Sequence, residues 1–139
     1  MNRVLVDAGP LVAILSERDE RHRLCVRTLE SLSGSPFSCW PVITEAAWLL
    51  RAYPGVVSLL LRRVSEGVPA MLPLSSLEAR PVGDLMKKYE SMKPQLADAS
   101  LVYLADRESL DTIFTLDRRD FSVYRSARNR RFRLIPDLP

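Results

Sequence analysis

The stretch Val4-Leu5-Val6-Asp7 constrains the fold of this chain more than any other. Three consecutive apolar residues, two of them β-branched, predict a strand buried on both faces. Asp7-Ala8-Gly9-Pro10 then breaks the run, and Leu11-Val12-Ala13-Ile14-Leu15 predicts a helix. A buried strand that delivers a carboxylate to its carboxyl end, just ahead of a helix, is how open α/β sheets begin a ligand site. What matters next is whether other acids reach the same edge.

Beyond the first helix, Ser16 to His22 is a polar turn, and Arg23 to Ser33 predicts an amphipathic helix closed by Gly34. Pro36 to Trp40 is a weak strand candidate. Pro41 suits the first turn of a helix that runs through Leu50 and is stopped by Pro54-Gly55. Val56 to Ser65 predicts a further helix ending near Gly67, and Met71 to Leu74 a short strand. Leu77 to Ser91 reads as helical despite Pro81 and Gly83, the two candidate points for a split. Leu96 to Arg107, rich in Ala and Leu, is a strong helix. Asp111 to Leu116 is a strand leading into Asp117, and Phe132 to Ile135 is the last strand. Strands separated by helices imply right-handed crossovers and a parallel sheet. The expected fold is α/β, one domain over residues 1–139, with a central parallel sheet of about five strands.

No apolar run approaches the ~20 residues that span a bilayer, and Asp7 interrupts the only apolar segment near the N-terminus. A cytoplasmic protein with no membrane association is the expectation. Cys25 and Cys39 lie 14 residues apart with only His22 near them, too few ligands for a zinc site. Both cysteines are read as small buried hydrophobes, and His22 as a solvated helix residue. The net charge of +3 is unevenly placed. Residues 118–139 carry seven arginines against Asp120 and Asp137, giving +5 and leaving −2 for residues 1–117. An Arg-rich end on a mildly acidic body suits a phosphate-bearing partner, and it equally suits a solubilising surface.

Four acids stand out by position. Asp7 and Asp117 end strands, while Glu45 and Asp98 sit in the opening turns of helices. Each has a local explanation, because acids cap helices and complement the helix dipole, by about 0.3–1 kcal/mol. Jointly they say more. Glu45 precedes Trp48 and Leu49 by three and four residues, and Asp98 precedes Leu101 and Val102 in the same way. Both acids therefore lie beside an apolar stripe, where burial costs desolvation unless a cation compensates. In a parallel sheet the strand ends bearing Asp7 and Asp117 share one edge, and helices starting there point their N-termini into the same crevice. Oxygen ligands without His or Cys select hard cations such as Mg²⁺ or Mn²⁺. Such an ion beside a basic segment is the chemistry of phosphodiester cleavage.

These residues resemble the PIN domain, in particular the toxin nucleases of VapBC-type toxin–antitoxin pairs. The resemblance runs from Val4–Ala13 through Thr44-Glu45-Ala46 and Leu96–Ser100 to Thr115–Phe121. It implies a three-layer α/β/α fold and a ribonuclease that uses Mg²⁺ or Mn²⁺ held by Asp7, Glu45, Asp98 and Asp117. Asp7 and Asp98 match the most direct ligands. Glu45 and Asp117 match residues that position a second ion or the attacking water. Thr115 matches a supporting Ser/Thr, and Asp120 resembles an outer acid paired with a neighbouring arginine. Arg118, Arg119 and Arg125 would then contact RNA, with the other arginines of 125–133 steering its backbone. The resemblance also implies a homodimer and a small cognate antitoxin. The surplus of apolar residues on Pro41–Tyr53 and Val56–Ser65 suits an interface and equally suits core filling. Ala8 departs from the pattern, since many relatives carry Ser or Thr there, and a supporting hydroxyl is missing.

Four other readings have discriminating features. A receiver-like module would want an Asp ending a third strand, but no Asp lies between 20 and 83. Dinucleotide binding would want G-x-G-x-x-G, and the five glycines are scattered. A catalytically silent scaffold binding RNA or protein, or a structure-specific DNA nuclease, would share the acids and differ in activity.

Overall fold

The computed structural model describes residues 3–138. Five parallel strands form one sheet: β1 (Val4–Val6), β2 (Phe37–Ser38), β3 (Ala70–Met71), β4 (Thr112–Phe114) and β5 (Arg133–Ile135), in the spatial order β3-β2-β1-β4-β5. Seven α-helices surround it among the described residues: α1 (Ala8–Leu15), α2 (His22–Ser31), α3 (Trp40–Leu49), α4 (Pro54–Ser65), α5 (Ala79–Lys88), α6 (Leu96–Arg107) and α7 (Arg118–Phe121). Every residue of β1 and β4 is buried, so both faces of the central strands are covered, as a three-layer α/β/α fold requires. No helix of the described residues is long and apolar enough to cross a membrane.

The strand order matters for function. From β1 the chain winds outward through β2 and β3, then returns to β1's other side to lay down β4 and β5. The direction of winding therefore reverses between β1 and β4, and a crevice opens outside their carboxyl ends. The register pairs Val6 with Phe114. One residue on, the Asp7 N–H donates to the Phe114 carbonyl at 2.9 Å, which sets Asp7 beside Thr115.

Several boundaries differ from expectation, each for a local reason. Asp7-Ala8-Gly9-Pro10 does not separate strand from helix, because α1 begins at Ala8 with Asp7 as its N-cap. Pro10 occupies the third helical position, where the N–H has no intrahelical partner to lose. Pro54-Gly55 does not terminate α3 but opens α4, with proline in the first turn. The segment 77–91 is not split at Pro81 and Gly83, which lie inside α5. The break falls earlier, where a 3₁₀ turn over Ser76–Glu78, closed by a Ser75/Glu78 capping box, gives way to α5. A second 3₁₀ turn, Glu90–Met92, follows. Strand β3 is displaced to Ala70–Met71, bounded by Pro69 and Pro73 as an edge strand tolerates. Gly67, at φ +90°, turns the chain out of α4 as its type predicts.

Both cysteines are fully buried and free, and burial pushes each thiol up to about 11. They behave as the small hydrophobes expected. His22 does not: it is half-buried, its Nδ1 lying 2.8 Å from the Ala13 carbonyl. That carbonyl belongs to the last turn of α1, which needs an outside donor, and packing of α2 on α1 brings the ring to it. Helix α6 is anchored at its far end by Arg107, which donates to Glu78 at 2.7 Å, while Tyr103 donates to the same carboxylate at 2.6 Å.

Candidate active site

The four acids read from the sequence converge. Asp7 follows β1, Asp117 lies three residues beyond β4, Asp98 is the third residue of α6, and Glu45 lies midway along α3. Together with Asp120 they line an open cleft of about 470 Å³, with Lys93 on its lip. Asp98, Asp117 and Asp120 each place a carboxylate oxygen within 4.8 Å of the others. Asp120 is thus part of the cluster itself. Among the described residues it forms no ion pair with the neighbouring arginines, contrary to the pairing expected for it.

Capping and clustering turn out to be compatible. Asp7 uses Oδ1 to accept the Ala8 N–H at 2.8 Å, leaving Oδ2 to accept the Thr115 hydroxyl at 2.9 Å. The same Thr115 oxygen accepts the Asp117 N–H at 3.0 Å, and Asp117 Oδ1 in turn accepts the Asp120 N–H at 3.1 Å. One buried hydroxyl therefore sets the spacing between the two strand-end acids. It supplies the support for Asp7 that Ala8 cannot. Replacing Thr115 with valine keeps the shape and deletes both bonds. We expect a loss of roughly 1–3 kcal/mol in urea unfolding and a roughly 10–100-fold weaker Mn²⁺ titration. A variant matching wild type in both measurements would remove this role.

Burial sets the electrostatics. Asp7 is 6% exposed and Asp98 8%. Desolvation is the largest cause of the upward shift of each, from 3.8 to about 6. Repulsion from Glu45 and Asp117 raises Asp7 further, and repulsion from Asp7 and Asp117 raises Asp98. Glu45 is also raised, by burial and then by Asp98 and Asp117. Like charges about 4 Å apart repel by ~4 kcal/mol at an effective dielectric of 20. The donor set fits a hard divalent cation: oxygen ligands only, converging, and held charged at neutral pH most easily beside a positive ion.

Sequence reasoning missed Tyr124. Its ring is 1% exposed and meets the rings of Tyr89 and Phe121 edge-on, at 5.0 and 5.2 Å. Its hydroxyl donates to Asp98 Oδ2 at 3.3 Å, and burial raises its pKa. The only trace in the sequence is the spacing of Phe121 and Tyr124 at three residues, and that says nothing of Asp98.

The arginines divide sharply. Arg118 is half-buried and donates to the carbonyls of Leu134 in β5 and Pro136 just after it. Arg125 donates through Nη1 to the carbonyls of Ser122, Val123 and Tyr124, closing α7. Both guanidinium groups are engaged by the backbone. Arg119 is exposed and lines a second cleft beside the acids. Exposed Arg128, Arg130 and Arg131 belong to a turn fastened to α6 where the Ala127 N–H meets Asp106 at 2.8 Å. Eight residues separate Asp106 from Asp98, about 12 Å along the helix axis, so this basic turn lies away from the acid cleft.

The PIN domain family model matches residues 4–126. Over 135 residues the chain is 29% identical to Ribonuclease VapC26 of Mycobacterium tuberculosis, covering 96% of this chain and all of that one. The fold is similar to that of VapC20 of Mycobacterium tuberculosis, described as a sarcin–ricin loop cleaving toxin. The TM-score is 0.76 at 14% identity, over 84% of this chain and 91% of that one. It is also similar to VapBC2 of Rickettsia felis, solved bound to a DNA fragment from its promoter. There the TM-score is 0.63 at 14% identity, over 95% and 96% of the two chains. With the family model spanning both strand-end acids and the helices that carry Glu45 and Asp98, the chain belongs to the PIN domain family.

Proposed function

We propose that this protein is a divalent-metal-dependent endoribonuclease, the toxin of a toxin–antitoxin pair, built as one PIN domain acting in the cytoplasm. The observation that carries the reading is the convergence of Asp7, Glu45, Asp98 and Asp117 at the carboxyl ends of β1 and β4. Its relatives support it, one being a ribonuclease and another a toxin that cleaves the sarcin–ricin loop. Asp7 and Asp98, the most buried acids, would be the direct ligands of Mg²⁺ or Mn²⁺, with Asp117 and Glu45 completing the set and Thr115 and Tyr124 holding them. The ion would supply polarisation of a phosphoryl oxygen and activation of water. The residues' own task is to hold their oxygens at fixed separations beside the scissile phosphate.

A cognate antitoxin and a second copy of the chain are the proposed partners. Trp40, Trp48, Leu49 and Tyr53, on and just beyond α3, are each more than half exposed, apolar area that association would cover. The defining experiment is incubation of the purified chain with total cellular RNA in Mn²⁺, in Mg²⁺ and in EDTA. Discrete cleavage products with either ion, and none in EDTA, are expected. Intact RNA under all three conditions would leave a silent scaffold as the better description.

A further inference from the structure

Lys93 is one of three non-glycine residues among the described ones with positive φ. It sits at φ 51°, ψ 57°, between the 3₁₀ turn Glu90–Met92 and the start of α6. The left-handed conformation is strained for a lysine, and glycine or asparagine would adopt it with less strain. Such outliers persist where the surroundings hold them and cluster at working sites. Here the outlier is the one cation among the residues that line the acid cleft. Lys93 lines the acid cleft and also the adjoining cleft of about 620 Å³, which it shares with Asp117, Asp120 and Arg119. Both cations are exposed, and among the described residues neither makes an ion pair, even with acids lining the same walls.

We propose that Lys93 and Arg119 form a phosphate clamp, holding a backbone phosphate of single-stranded RNA next to the scissile one and leading the strand into the second cleft. This rests on the ribonuclease reading and adds to it the path of the substrate. The charges carry the assignment. An acidic cleft repels a polyanion outside the immediate reach of its metal, so the next phosphate requires a cation beside the acids, and these two stand there. A lysine on a flexible stem serves as a point charge for phosphate, and an arginine can bind it bidentately. The arginine-rich turn cannot substitute, being fastened to the far end of α6. Because the clamped phosphate does not react, the contact strengthens ground and transition states alike, and its loss appears in KM rather than kcat.

The test measures Mn²⁺-dependent cleavage of a mixed-sequence single-stranded RNA transcript by wild type, Lys93→Gly, Lys93→Arg and Arg119→Ala, at 50 to 200 mM KCl. Lys93→Gly and Arg119→Ala should each raise KM about tenfold, the worth of one charge-assisted contact, with kcat within about twofold. Each should also flatten the slope of log(kcat/KM) against log[KCl] by about 0.7, the value of one phosphate on a single strand. Lys93→Arg should retain most of the wild-type KM. Glycine adopts φ 51° without strain, so Lys93→Gly should melt no lower than wild type. Unchanged KM and salt slope in both charge-removing variants, with an active wild type, would overturn the clamp alone. A fall in kcat at constant KM would also overturn it, placing Lys93 in the chemistry. A wild type that does not cleave RNA would overturn the ribonuclease reading and the clamp with it.

Discussion

Asp98→Asn abolishes metal-dependent RNA cleavage without unfolding the protein: that is the largest effect we expect. Asp98 lies at the third position of α6, is almost fully buried, and shares its oxygen cluster with Asp117 and Asp120. Asparagine preserves the volume and one acceptor but removes the charge a divalent ion requires. Losing a supporting partner of a metal ligand typically costs roughly 10–100-fold, and loss of the ligand itself should exceed that. Asp7→Asn should behave the same way. Its Oδ1 can still accept the Ala8 N–H, and its new amide can donate to the Thr115 hydroxyl, which has a free lone pair. In metal-free buffer at pH 7 neither variant should melt below wild type, because each removes a charge that burial disfavours. Cleavage above a few per cent of wild type in either one would remove it from the ligand set.

The second large effect is an inverted dependence of stability on pH. Asp7 and Asp98 rise from 3.8 to about 6 on folding. Between those values the folded chain holds more protons than the unfolded one, so stability falls as pH increases. Their contribution is favourable below about 4, is lost through the interval up to about 6, and is level above it. Moving one carboxyl from 3.8 to 6 corresponds to roughly 3 kcal/mol between its charged and neutral forms, and the acids titrate as a coupled set. Urea midpoints of the metal-free protein should therefore drop from pH 4.5 to 7. The Asp7→Asn/Asp98→Asn double variant should lose most of that slope. Glu78 acts in the opposite direction and lower, since its hydrogen bond from the Ser75 backbone holds it down at about 2. Mn²⁺ at pH 7.5 should restore stability, by ~2.7 kcal/mol at a hundredfold excess over its Kd. The gain should fade toward pH 4.5 as protons compete for the carboxylates. A wild type whose metal-free stability rises from pH 4.5 to 7 would contradict the electrostatics of the cleft.

Much of this protein is legible in its sequence, because parallel α/β chains write their core as uninterrupted apolar runs. Val4–Val6 and the helix Leu96–Arg107 declared themselves that way and form as read, and of the strand read over Asp111–Leu116 the apolar centre Thr112–Phe114 forms. The acids followed from position alone, since a residue just after a parallel strand or in a helix's opening turns has little freedom about which edge it reaches. For Glu45 the placement held for a different reason. Trp48 and Leu49, taken as its buried neighbours, are 63% and 52% exposed, and the glutamate is half-buried by its position over the cleft. Proline and glycine punctuation was the weaker guide. Pro10 and Pro81 both sit at the third helical position, where a missing N–H removes no bond.

The sequence by itself determined most of the elements, the parallel sheet and the sharing of one crevice by Asp7, Glu45, Asp98 and Asp117, because burial period and strand-end position are local properties; Asp120 joined them only through the tertiary structure. Only the tertiary structure decided how those carboxylates are held and which cations remain beside them. Thr115 bridging Asp7 and Asp117, and Tyr124 reaching Asp98 from 26 residues away, are contacts between segments that no periodicity connects. Arg118 and Arg125 look identical to Arg119 in a string of letters. Unpaired carbonyls at chain ends and turns engage the first two and leave Arg119 exposed. A side chain's partners depend on where the backbone ends its hydrogen bonds in three dimensions, and that was settled by packing.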